Sequence, residues 1–237
     1  MKRDFLFVCN LKMNDIQPKV YKKSLEKKFF NNLVICPNFC DLKDFSKLSK
    51  YGVRVGAQNV SEFQSGAFTG DVSVEMIKKS GAEFCIIGHS EQKKYHFETL
   101  QKINKKAKLL LQNKLTPIIC VGEEIRKKGA ENQHTDYAKK YVTAELESIL
   151  AGVESNEVII AYEPIWSIGT GEIPTQKHIQ EVLSHIKQTT KCKKVLYGGS
   201  FSIKNYKSIA GLKEVDGALI GGESLNPQHI VEMIENV

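Results

Sequence analysis

Short runs of β-branched and apolar residues recur along the chain. Each gives way to turn residues and then to a longer stretch with apolar positions three and four apart. The runs are FLFVC at Phe5, LVIC at Leu33, VRVGA at Val53, FCII at Phe84, PIICV at Pro117, EVIIAY at Glu157, KVLYGG at Lys194 and GALIGG at Gly217. A mean spacing of roughly 30 residues suits one strand and one crossover helix per unit, so the strands are expected to be parallel. Helical stripes are legible at Ala138, Tyr141, Val142, Leu146, Ile149 and Leu150, and again at Ile179, Val182, Leu183 and Ile186.

Strands this continuously apolar are buried on both faces, and no Pro/Ser/Gly-rich linker or change of composition divides the chain. The pattern predicts an α/β fold with one domain over residues 1–237. A closed (β/α)8 barrel of eight parallel strands, each followed by helix, fits best, and an open doubly wound sheet is the structural alternative. In the barrel, function belongs on the rim just after the strand ends.

Composition narrows the classes. With 41% hydrophobic and 26% charged residues and only 17 Gly and 6 Pro, the chain is neither disordered nor low-complexity. No apolar run approaches the ~18 residues of a membrane span, and MKRDFLFVCNLKMN lacks the features of a signal peptide, so a cytoplasmic location is expected. The net charge of +7 comes from lysines spread over many segments without an aromatic-basic motif, which argues against nucleic acid. The six cysteines read as reduced core thiols. Cys36 and Cys40 have metal-like spacing, but no second Cys/His pair completes a site.

Residues following the strands form an acid–base set: Asn10 and Lys12 after the first, His89 and Glu91 after the fourth, Glu163 after the sixth. Singly, each has an ordinary structural explanation; together they converge on one rim. His89, at the start of a helix, is expected to stay neutral and to donate a hydrogen bond to a substrate oxygen. The remaining histidines (His96, His134, His178, His185 and His229) read as structural or surface residues. Glu163 lies in AYEPIWSIGTG, where Pro164 stiffens one end and Gly169 and Gly171 free the other, as in a movable cover. Trp166 and an isoleucine would seal it, and expelling water makes a carboxylate a stronger base. YGGS (Tyr197–Ser200) and IGG (Ile220–Gly222) bring backbone N–H groups together after strands seven and eight, as a phosphate cradle does. A base, a neutral donor, a cation and a phosphate cradle, without nucleotide or metal motifs, point to cofactor-free proton transfer beside a carbonyl.

These segments resemble the triosephosphate isomerase family. The resemblance rests on CNLKMN (Cys9–Asn14), VGAQNVSEFQSGAFTGDVSVEM (Val55–Met76), IIGHSE (Ile86–Glu91), CVGE (Cys120–Glu123), AYEPIWSIGTG (Ala161–Gly171), YGGS and DGALIGGESL (Asp216–Leu225), in order across nearly the whole chain. It implies interconversion of dihydroxyacetone phosphate and D-glyceraldehyde 3-phosphate in glycolysis and gluconeogenesis, with no cofactor. Glu163 would be the base, His89 the neutral electrophile, Lys12 an electrostatic stabiliser and Asn10 a substrate-site partner, with Glu91 in support. Backbone N–H groups of Gly169, Ser200, Gly221 and Gly222 would hold the phosphate. The resemblance also implies a homodimer in which the loop from Gln58 to Val72 inserts Thr69 beside the partner's first motif.

The chain departs from the family pattern at Leu11, where Trp is usual, at Gln92, where Arg commonly follows HSE and Lys93 is a substitute, and at Glu223, where a small apolar residue is usual. The loop after CVGE is short. Competing readings are another cofactor-free sugar-phosphate isomerase or epimerase, which would lack the combined NLKMN, GHSE and YEPIW segments, and a non-catalytic sugar-phosphate-binding barrel, which a missing base would favour.

Overall fold

A computed structural model describes residues 4–26, 28–127, 129–170 and 172–237. Each apolar run forms a strand: β1 Leu6–Asn10, β2 Leu33–Cys36, β3 Arg54–Ala57, β4 Phe84–Ile87, β5 Thr116–Val121, β6 Ile159–Tyr162, β7 Lys194–Tyr197 and β8 Gly217–Ile220. Every strand pairs in parallel with its neighbours in sequence. β8 returns to β1 with Ala218 opposite Phe7 and Leu219 opposite Val8, so the sheet is a closed barrel and the open alternative falls.

The described helices are α1 (Pro18–Leu25), α2 (Leu42–Ser46), α3 (Val74–Lys79), α4 (Ser90–His96), α5 (Leu100–Gln112), α6 (Glu131–Ile149), α7 (Gln176–Thr190), α8 (Tyr206–Ala210) and α9 (Pro227–Glu235), two of them following β4. Their starts have local causes: Pro18 and Pro227 sit at first-turn positions, and Thr175 caps α7 by accepting from the His178 amide at 3.2 Å. The predicted stripe on α7 is fully buried, as are Ala138, Val142, Leu146 and Ile149 on α6. Among the described residues no helix is long and apolar enough to cross a membrane.

The core has two shells. Apolar outward-facing strand residues such as Phe7, Ile35 and Ile160 pack with the helices, while Leu6, Val8, Val34, Phe84, Ile118 and their neighbours fill the barrel itself. Phe84 occupies the lumen opposite Gly56, where a Cβ would lie 2.7 Å from Cys36 Sγ and 3.2 Å from Phe84 Cβ. The inward alternation continues above this packed layer to Asn10, Gly122, Glu163, Gly198 and Gly221. Three of those five positions are glycine, so the barrel is plugged below and hollow at the ends of its strands.

All six cysteines are free, and burial pushes the Cys9 thiol up to about 12. The expectation of core thiols holds for Cys9, Cys36, Cys85 and Cys120, whereas Cys40 is exposed and Cys192 half-buried.

Candidate active site

The first motif turns back on itself directly after β1. Asn10 Oδ1 accepts the Lys12 amide at 3.1 Å, and Gln58 Nε2 donates to the Lys12 carbonyl at 2.9 Å. These contacts hold Lys12 at φ 52°, a left-handed conformation costing an L-residue about 1 kcal/mol. The turn carries the lysine stem over β8, where a Cβ on Gly221 would approach its Cε to 3.3 Å, and Nζ meets Glu91 Oε1 at 2.5 Å.

His89 caps α4. Its Nδ1 accepts the Glu91 amide at 3.2 Å, so Nδ1 carries no proton and the ring's N–H is on Nε2. That nitrogen lies 3.2 Å from Glu163 Oε1. The other carboxylate oxygen accepts the Ser90 amide at 3.1 Å, so the base rests against the start of α4. Glu163 is buried, and its position depends on two glycines: a Cβ at Gly122 would fall 1.8 Å from the Glu163 carbonyl oxygen, and one at Gly198 would fall 2.9 Å from its Cγ. No larger residue fits at either point without displacing the base.

Asn10, Lys12, His89, Glu163, Gly169, Ser200, Gly221 and Gly222 line one pocket of about 290 Å³. Glu91 stands behind Lys12 rather than in the lining. Along the same rim, Gly221 leads into a 3-10 helix at Gly222–Leu225, and Ser200 follows Gly198 and Gly199 off β7. The glycine turns leave room for an anion against backbone N–H groups.

The cover runs from Pro164 through a 3-10 turn at Ile165–Ser167 to Gly169, with φ 71° at Gly169; Gly171 lies outside the described residues. The Ser200 hydroxyl donates to the Ser167 carbonyl at 3.0 Å, joining the 3-10 turn to the glycine turn after β7. One expectation needs correction: Ile168 lines the pocket but Trp166 does not. The Trp166 indole is turned away, donating to buried Glu123 at 2.7 Å with the Arg126 guanidinium over its ring, so it anchors the cover instead of sealing it.

The departures also resolve. Lys93 does not replace the missing arginine near the 58–72 loop; it reaches inward to Glu145 at 2.6 Å, while Gln92 Oε1 accepts from Asn59 at 2.9 Å. Glu223 meets His229 Nδ1 at 2.5 Å, away from the pocket lining. Leu11 is buried in the core.

His134 and His178 were not separable in sequence from ordinary helix residues, yet both are buried beside Glu123. Burial holds the His178 pKa down to about 4. Because the unfolded histidine takes up its proton near pH 6.5 and the folded one does not until about pH 4, stability is full above that window and falls as pH drops through it. Wild type should lose about 3 kcal/mol more than His178→Gln between those two pH values, read from denaturant unfolding at each. Equal losses would remove His178 as the cause.

A family profile for triosephosphate isomerase matches residues 5–237. Triosephosphate isomerase of Mycoplasmopsis pulmonis is 37% identical over 203 residues, covering 84% of this chain and 80% of its own. That of Alkaliphilus oremlandii is 35% identical over 232 residues, covering 94% and 90%. That of Saccharopolyspora erythraea is 36% identical over 229 residues, covering 89% and 85%.

Proposed function

The chain belongs to the triosephosphate isomerase family and interconverts dihydroxyacetone phosphate and D-glyceraldehyde 3-phosphate, a step of glycolysis; from that premise we propose how the pocket divides the chemistry. Glu163 removes a proton from the carbon beside the carbonyl and returns it to the neighbouring carbon. The C–H electron pair becomes the carbon–carbon double bond of an enediolate and the carbonyl oxygen becomes anionic; the proton of the adjacent hydroxyl passes to that oxygen by way of His89 Nε2, so that returning the carbon-bound proton to the second carbon leaves the carbonyl on the first. Lys12 Nζ and the His89 Nε2–H stabilise that oxygen. His89 donates as a neutral imidazole because Nδ1 is already engaged by the Glu91 amide. For catalysis Glu163 must leave the Ser90 amide and turn toward substrate. Asn10 positions Lys12 and faces the substrate, while Glu91 orients the ammonium.

Backbone N–H groups of Gly169, Ser200, Gly221 and Gly222 hold the phosphate, so the segment 164–170 acts as a lid that the bound anion draws down. The observation carrying this reading is the convergence of base, imidazole N–H and ammonium on one pocket that the glycine turns also line. The reaction proceeds in the cytoplasm and needs no metal or nucleotide. A non-catalytic sugar-phosphate binder would have no use for a buried carboxylate beside a phosphate cradle.

A homodimer completes the site. Met13, Tyr95 and Phe97 are largely exposed, and Phe63 stacks on Phe68 with centroids 3.9 Å apart on the protruding loop. A cavity of about 700 Å³ is lined by Lys12, Met13, Gln92, Lys106 and much of the chain's own 58–72 loop. The partner's 58–72 loop, carrying Thr69, fills it. Light scattering should give about twice the 26.7 kDa chain mass, with isomerase activity in a coupled assay without added metal. A fully active species of single-chain mass would overturn the proposed assembly.

A further inference from the structure

Below the lid lies a buried polar cluster that the proton transfer does not use. Burial lowers the pKa of both His134 and His178, so each carries a single N–H at neutral pH. Tyr162 donates its one hydroxyl proton to Glu123, with both carboxylate oxygens at 3.1 Å. The Tyr162 oxygen also lies 2.8 Å from His178 Nε2, and His178 Nδ1 lies 2.9 Å from the Thr135 hydroxyl, whose own proton goes to the Glu131 carbonyl at 3.0 Å. These contacts link α6, α7 and β6 to Glu123, which also receives the Trp166 indole N–H.

His134 breaks the pattern. Its Nδ1 accepts the Lys127 amide at 3.2 Å, which places its N–H on Nε2. Among the described residues that N–H is buried without a hydrogen-bond partner, 3.5 Å from the Glu123 oxygen that Trp166 occupies at 2.7 Å. The ring is wedged edge-on to Trp166 at 5.3 Å and stacked on His178 at 4.9 Å with 5° between planes. Parallel imidazoles cannot direct their in-plane lone pairs at one ion, so the cluster suits proton donors rather than a metal. A buried N–H left unpaired beside a carboxylate costs free energy in this state, and pairing it in another state of the protein is a use that accounts for its presence.

We propose that His134 is a positioning residue of the lid, exchanging with Trp166 as hydrogen-bond donor to Glu123: when the lid moves over substrate and the indole leaves the carboxylate, the His134 Nε2–H takes its place. The exchange keeps Glu123 fully paired in both lid positions. It rests on the reading of segment 164–170 as a lid.

Trp166 is the single tryptophan of the chain, so intrinsic fluorescence reports its surroundings directly. Saturating wild type with glycerol 3-phosphate, which cannot isomerise, should change the emission as the indole loses its carboxylate. His134→Ala, with no substitute donor, should bind glycerol 3-phosphate about five- to ten-fold more weakly and lose kcat/KM by the same factor. His134→Gln restores an N–H donor and should recover most of both. Equal behaviour of the Ala and Gln variants, or a wild-type emission that ignores the ligand, would overturn the exchange; the second readout decides even if His134→Ala does not fold. Wild-type isomerase activity measured on the same samples separates the two ideas, since inactive wild type would sink the lid reading itself.

Discussion

Glu163→Gln should lower kcat by about 10³-fold while leaving KM within about two-fold of wild type. The amide matches the carboxylate in shape, so the close approaches to Gly122 and Gly198 survive. What it cannot do is accept a proton from carbon. On the proposed division of the pocket, phosphate is held by the backbone N–H groups of Gly169, Ser200, Gly221 and Gly222 and not by this side chain. A coupled assay gives kcat and KM, and competitive inhibition by inorganic phosphate shows whether the anion site is intact. Undiminished turnover with intact phosphate binding would remove Glu163 as the base.

Lys12→Met should damage binding and turnover together, lowering kcat/KM by about 10²- to 10³-fold. Methionine keeps most of the stem that lies against Gly221 and, like lysine, must occupy φ 52°, so backbone strain is unchanged and charge is the main variable. Glu91, the partner left behind, is about half exposed at 46%, so water can solvate it and little stability is lost. The ammonium serves the substrate's negative charge in the ground state and the growing oxyanion in the transition state, which is why KM rises as kcat falls. Kinetics like wild type would place the ammonium outside the reaction.

The contrast between the two variants tests the division of the pocket. One side chain acts on the reacting carbons alone; the other acts wherever negative charge sits. A Lys12→Met variant with only kcat changed would assign the ground-state attraction to the backbone cradle alone.

Local and periodic features were legible in the chain itself. Each strand is a run of apolar residues, and a run is visible without knowing its neighbours. The spacing of about 30 residues leaves each helix enough length to return the chain for another parallel strand. His89 and Glu163 were placed because each follows a strand by one or two residues, and a barrel brings all strand ends to one rim. The motif segments then carried the resemblance to the family.

Contacts across the chain were not legible. Trp166 reads as an apolar seal because its ring is its most conspicuous property; only the fold reveals a buried acceptor at Glu123, 43 residues away, that turns the indole N–H inward. Lys93 reads as a stand-in for a missing charge near the protruding loop, but Glu145 on α6 attracts it to the other side. His134 and His178 sit on two different helices, and no spacing records that their rings stack.

The amino-acid sequence by itself carried the alternation of strands and helices, the rim on which function was expected and the candidate acid–base groups, because hydrophobic periodicity and turn chemistry act between residues close along the chain. The tertiary structure alone decided where each of those groups rests and what holds the lid's anchor: Glu163 against the Ser90 amide, Lys12 on Glu91, and Trp166 on Glu123 with His134 unpaired beside it. Hydrogen bonds and charge pairs form over about 3 Å of space, and which distant residues come within that reach follows from how the strands and helices pack around the closed sheet.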